Sequence, residues 1–137
     1  MANPPKKSGA GYEARFTADA IARGFDVMEP AGDYLTYDRI VVNDRGETFR
    51  VQVKGTTYLQ SGKQSYKVLA ATGTGGAPKQ CLPPDEADVL AVWVVPATGW
   101  YLVPVAKLNS KSVYLSPMDE KSVGRYEPWK EAWNVFA

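Results

Sequence analysis

Four side chains have the types and spacing to do chemistry: Glu13, Asp38, Gln52 and Lys54. Two carboxylates, an amide oxygen and the Val53 backbone carbonyl form an oxygen-rich donor set. Hard divalent cations such as Mg²⁺ or Mn²⁺ prefer such ligands. A cation held this way polarises a phosphodiester oxygen and lowers the pKa of an attacking water. Lys54 can orient that water or stabilise charge gathering at the phosphorus. The same strand residues, Asp38, Arg50, Gln52 and Lys54, are also what the wet face of a half-buried strand displays. The residues taken alone leave both readings open.

The elements that must bring these groups together are legible. Tyr12, Phe16 and Ala20 with Ile21 recur at helical spacing between Gly11 and Arg23, and Gly24 is a natural stop. Glu13 borders that apolar stripe, so the helix can aim it at the end of a sheet. Phe25 to Met28 reads as a short strand ended by Pro30. Thr36 to Val42 and Thr48 to Lys54 read as two more strands, joined through Asn43-Asp44-Arg45-Gly46 as a type I turn. If Asp44, Arg45 and Gly46 form the loop, paired residues have numbers summing to 90, which sets Asp38 opposite Gln52. Directly opposed residues share a face. Arg50, Gln52 and Lys54 then lie on one face, with Phe49, Val51 and Val53 on the other.

Further strands are expected at Ser65 to Ala71, Asp88 to Val95 and Trp100 to Val105, the last two forming a hairpin across Pro96-Ala97-Thr98-Gly99. The run Val89 to Val95 barely alternates, as in a central strand buried on both faces. Trp129, Ala132, Trp133 and Phe136 have the spacing of a short amphipathic helix closing the core. The fold class is α/β (α+β), an α/β/α core over residues 11–137 behind a flexible N-terminus at 1–10.

Composition excludes more than it suggests. The 137 residues include no His and one Cys, which removes Ser-His-Asp and Cys-His hydrolases, His- or Cys-ligated zinc and disulfide frameworks. The longest apolar run, Val89 to Pro96, is too short to cross a bilayer. Met1 to Lys7 has charges with no apolar stretch behind them, unlike a secretory signal, so a cytoplasmic location is expected. The net charge is +1, yet residues 1–80 hold 11 basic and 8 acidic side chains, while residues 81–137 hold 5 and 7. A mildly basic N-terminal half is compatible with phosphate contacts.

The Gly-rich stretch Thr72 to Lys79 lacks the Gly-Lys-Ser/Thr ending of a phosphate-binding P-loop. With Lys63, Lys67 and Lys79 nearby, it is a candidate to follow a DNA backbone, or simply a solvated loop. The aromatic residues fit core packing better than base stacking. Cys81 has no flanking base and reads as a bystander.

The order of a helix with Glu13, a short strand, Asp38, a hairpin and Gln52-Val53-Lys54 resembles the PD-(D/E)XK nuclease superfamily. The closer likeness is to the branch written Gln-Val-Lys, as in group I intron homing endonucleases of cyanobacterial type, and archaeal Holliday-junction resolvases are a related branch with a similar Glu-on-helix start. Gly55-Thr56, Asp88 to Trp93, Trp100 to Val105 and Glu131-Ala132-Trp133 add to the likeness, while Tyr37 stands where the family's name has Pro. The resemblance implies a restriction-endonuclease-like core with a mixed, mostly antiparallel sheet. It implies that Asp38 is the main metal ligand, Gln52 the neutral ligand at the usually acidic position, Lys54 the catalytic lysine and Glu13 an assistant through a water. The implied activity is Mg²⁺- or Mn²⁺-dependent DNA endonuclease, acting as a homodimer or higher assembly. The alternative is a DNA-binding module with a weakened site on the same fold.

Overall fold

The computed structural model describes residues 4–57, 59, 65–72, 80–119 and 121–137. Helix α1 (Pro4–Ala22) leads into β1 (Asp26–Met28), β2 (Arg39–Val42) and β3 (Thr48–Thr56). The short strands β4 (Tyr66–Leu69), β5 (Ala71–Thr72) and β6 (Gln80–Cys81) follow. The hairpin β7 (Val89–Val94) and β8 (Gly99–Pro104) comes next, then β9 (Ser112–Leu115). The central sheet has the order β1-β2-β3-β7-β8, antiparallel except where β3 runs parallel to β7. Among the described residues, no helix is long and apolar enough to cross a membrane.

Turn chemistry sets the register that matters. Gly46 takes a φ of 80°, and the Asn43 N–H donates to the Glu47 carbonyl across the turn at 3.0 Å. The pairs Arg39–Val51, Ile40–Arg50, Val41–Phe49 and Val42–Thr48 all obey the sum of 90 expected from the sequence. The ladder ends at Arg39, but the Asp38 N–H still donates to the Val51 carbonyl at 2.8 Å. Asp38 is thereby pinned beside Gln52 just beyond the last formal pair.

Alternation along the strands divides the core in two. Val51, Val53, Val89, Ala91, Trp93, Trp100 and Leu102 pack under Phe16 and Ala20 of α1. Leu90, Val92, Val94, Tyr101 and Val103 pack against the ribbon of β4 and β9. Every residue of β7 is buried, as its non-alternating sequence requires.

Four details differ from the sequence reading. The helix begins at Pro4 rather than Gly11, and Ile21 stays 55 % exposed while Phe16 and Ala20 carry the buried stripe. The Ser65–Ala71 strand divides into β4 and β5 because Ala70 changes partners: its N–H continues the β4–β9 ladder to the Lys111 carbonyl at 2.7 Å, while its carbonyl accepts from the Leu82 N–H at 3.2 Å and leads into the β5–β6 pair. The expected closing helix is two 3₁₀ turns, Glu127–Trp129 and Trp133–Phe136. Glu131, at a φ of 50°, breaks them apart: its N–H donates to the Trp100 carbonyl, and its carboxylate accepts from the Trp100 N–H. The helical spacing was therefore misleading, since Trp129 packs on one core and Trp133 and Phe136 on the other. Finally, the α/β/α layering holds on the α1 face, whereas the opposite face is covered by the β4–β9 ribbon.

Candidate active site

Glu13, Asp38, Gln52, Val53 and Lys54 line one cleft of about 510 Å³, where α1, the approach to β2 and the middle of β3 meet. The loop residues Asp33, Tyr34, Leu35 and Thr36 form one wall, and Tyr12, Gly55 and Ala71 close the other side. Lys67 lies on β4 outside this lining, and Lys63 and Lys79 fall outside the described residues.

Two hydrogen bonds orient the donor groups. Asp38 Oδ2 accepts from the Val53 N–H at 2.8 Å, so one carboxylate oxygen is fixed against β3. Gln52 Nε2 donates to the Thr36 carbonyl at 3.0 Å. A carbonyl can only accept, so the amide nitrogen must face Thr36 and the oxygen must face away. That oxygen, Gln52 Oε1, is buried and has no hydrogen-bond partner among the described residues. Leaving a buried acceptor unmatched costs about 1–3 kcal/mol, so this oxygen calls for a partner such as an ordered water or a cation.

The electrostatics agree. Burial pushes the Asp38 carboxyl above its ordinary value, against the opposing pull of the Val53 N–H, Lys54 and Arg39. Glu13 is also raised, first by burial and then by the nearby Asp38 charge. Two carboxyl groups that resist ionisation beside each other favour a cation between them. Among the described residues, no three Asp, Glu, His or Cys side chains converge to hold a metal by themselves. A divalent ion here needs the neutral Gln52 oxygen to complete its shell, and that oxygen is the one left unpaired. The residues present thus fit a hard divalent cation.

Sequence reasoning missed the frame around these groups. Arg39, with its side chain 12 % exposed, contacts Glu13 Oε1 at 3.3 Å and Glu29 Oε1 at 3.0 Å. It also donates to Thr17 Oγ1 at 2.9 Å and to the Asp38 carbonyl at 2.7 Å. One guanidinium therefore ties the helix carrying Glu13 to the strand carrying Asp38. Gly55 makes a second contact: a Cβ there would collide with the Tyr12 ring, so glycine leaves the room in which that ring packs over β3. Nothing local in the chain couples Arg39 to α1 or Gly55 to Tyr12. The one sequence hint was the Gly directly after Lys54.

The fold and this cleft define a class. A family model described as PD-(D/E)XK endonuclease matches residues 3–136. The chain belongs to that family, and it is a nuclease of the kind whose members generally use divalent metal ions. Among solved structures it is similar to the bacterial homing endonuclease I-Ssp6803I, with a TM-score of 0.81 and 21 % identity over 97 % of this chain and 93 % of that one. It is also similar to Hjc, a Holliday junction resolvase from the hyperthermophilic archaeon Archaeoglobus fulgidus, with a TM-score of 0.54 and 18 % identity over 93 % of this chain and 96 % of that one. No curated protein matches. At these identities the two structures speak for the fold, a mixed α+β core around a mostly antiparallel sheet.

Proposed function

We propose that this nuclease is a Mg²⁺- or Mn²⁺-dependent DNA endonuclease whose working groups are Glu13, Asp38, Gln52 and Lys54. The observation that carries the reading is the buried Gln52 Oε1, without a partner among the described residues, in the same cleft as Asp38, Glu13 and Lys54. Asp38, Gln52 Oε1 and the Val53 carbonyl would hold the cation, with Glu13 at its outer side. Bound there, the cation supplies Lewis-acid polarisation of a phosphodiester oxygen and a more acidic water.

The chain's own groups have separate tasks. Lys54 places a positive charge beside Asp38, close enough to oppose that carboxyl's upward shift, and so is positioned to neutralise charge developing on a phosphate. Asp38, held by the Val53 N–H, presents its other oxygen at a fixed angle. Glu13, steadied by Arg39, is a candidate to orient a water. Each chain carries one such cleft, so cutting both strands of a duplex or a junction calls for a homodimer or higher assembly. A site-specific role like a homing endonuclease's and a branch-specific role like a resolvase's both suit the core.

The test is a cleavage panel of supercoiled, linear, single-stranded and four-way-junction DNA with Mg²⁺ or Mn²⁺, with Lys54→Ala in parallel. Cutting that needs both the metal and Lys54 is expected, and the preferred substrate selects between the two roles. Binding to all four DNAs with no cutting would instead favour the DNA-binding module.

A further inference from the structure

Beside the cleft lies a second feature with the chemistry to hold DNA. Trp93 of β7 is the ladder partner of Gly55, the residue that follows Lys54. Tyr12 of α1 packs over Gly55, and one turn further along the helix the Arg15 guanidinium lies over the Trp93 ring at 4.5 Å. Trp93 is itself backed by Trp100, with ring centroids 5.2 Å apart. The guanidinium is thus stacked on a buried aromatic pair on the α1 face of the sheet, one helical turn from the cleft-lining Tyr12, in a second cleft that it shares with Asp19, Arg23 and Glu131.

Arg15 also differs from every other arginine. Arg23, Arg39, Arg45 and Arg50 each pair with a carboxylate, and Arg125 donates to the Lys107 carbonyl. Arg15, exposed, has neither an ion pair nor a hydrogen bond among the described residues. Asp19, four residues on, is the natural helical partner, but its Oδ2 accepts from Trp100 Nε1 at 2.8 Å. A planar fork of five donors, stacked and without an acceptor, is arranged for a bidentate anion.

Resting on the endonuclease reading above, we propose that Arg15 on its Trp93 platform is a phosphate-binding site for the backbone of double-stranded DNA, next to the cleavage cleft. Cation–π stacking limits the guanidinium's freedom before the phosphate arrives, so less entropy is lost on binding. Arg23 is the internal contrast. It is stacked on Trp133 in the same manner, at 4.2 Å, but Glu131 neutralises it.

The experiment is fluorescence anisotropy of a short duplex of arbitrary sequence, without divalent cations so that nothing is cut. Affinity is followed between about 50 and 200 mM salt. The proteins are wild type, Arg15→Gln, Arg15→Lys and Arg23→Gln. Arg15→Gln is expected to weaken binding several-fold and to reduce the salt slope by about 0.9, the share of one phosphate. Arg15→Lys should keep the slope and recover part of the affinity, and Arg23→Gln should keep both. A wild-type slope in Arg15→Gln, or an equal fall in Arg23→Gln, would overturn the proposal while leaving the endonuclease reading in place. No binding of any duplex by the wild type would overturn the proposal, and the endonuclease reading would then stand or fall on the metal-dependent cleavage panel alone.

Discussion

At the scale of single residues, Gln52 decides how the cleft is read. An exposed Gln on a wet strand face would find water for both ends of its amide, and burial changes that. With Nε2 committed to the Thr36 carbonyl, Oε1 is left without a partner among the described residues, in the cleft that Asp38 and Lys54 also line. Gln52→Glu is expected to tighten Mn²⁺ binding in a calorimetric titration, by about tenfold or more, because a charged ligand replaces a neutral one. The same change should lower the melting temperature of the metal-free protein, since it adds a third negative charge to a cleft where two carboxyl groups already resist ionisation. Unchanged Mn²⁺ affinity would remove Gln52 from the ligand set. Asp38, Gln52 and Lys54 were legible in the sequence because a three-residue turn fixes which strand positions oppose one another. Arg39 and Thr36 were not, because their roles depend on where α1 and the loop before β2 come to rest.

At the scale of elements, the parallel pair β3–β7 supports the cleft and is anchored by an ion pair that reads as ordinary surface charge in the sequence. Asp88 Oδ2 accepts from the Arg50 N–H at 2.7 Å and from its Nε at 3.0 Å, while Oδ1 accepts from an outer Arg50 nitrogen at 3.1 Å. The backbone closes the same contact, with the Asp88 N–H on the Arg50 carbonyl and the Val105 N–H on the Asp88 carbonyl. Burial alone would raise the Asp88 carboxyl, but the Arg50 hydrogen bonds outweigh it and hold the group below its ordinary value of 3.8. A depressed carboxyl stabilises the fold above the unfolded pKa, and that contribution is lost as pH falls through the folded one. Asp88→Asn should therefore cost about 1–2 kcal/mol at neutral pH, discounted for the pair's partial exposure. The gap to wild type in urea unfolding should close as pH falls below 3.8. A gap that stays constant with pH would show that charge is not what the pair contributes. The elements themselves were readable where hydrophobic alternation and turn chemistry agree, as in β2, β3, β7 and β8. At the C-terminus they disagree. The segment crosses the edge of β8 and serves both cores, so its apolar spacing imitates a helix that the Glu131 backbone contact forbids.

At the scale of the whole molecule, one sheet carries two opposed apolar layers and leaves its polar chemistry at the point where β2 and β3 stop pairing. The last formal pair is Arg39–Val51, and Asp38, Gln52 and Lys54 come directly after it along the two strands. Beyond that point the two strands part, and the cleft opens there with Glu13 of α1 at its rim. Most direct is the rate of supercoiled-plasmid cleavage by wild type and Asp38→Asn, with Mn²⁺ or with a chelator, after both proteins have been shown to bind the plasmid. The wild type should cut only with the metal, and Asp38→Asn should bind DNA but cut at least about a thousandfold more slowly. Equal rates for the two proteins, or cutting by the wild type in chelator, would contradict the assignment of the cleft.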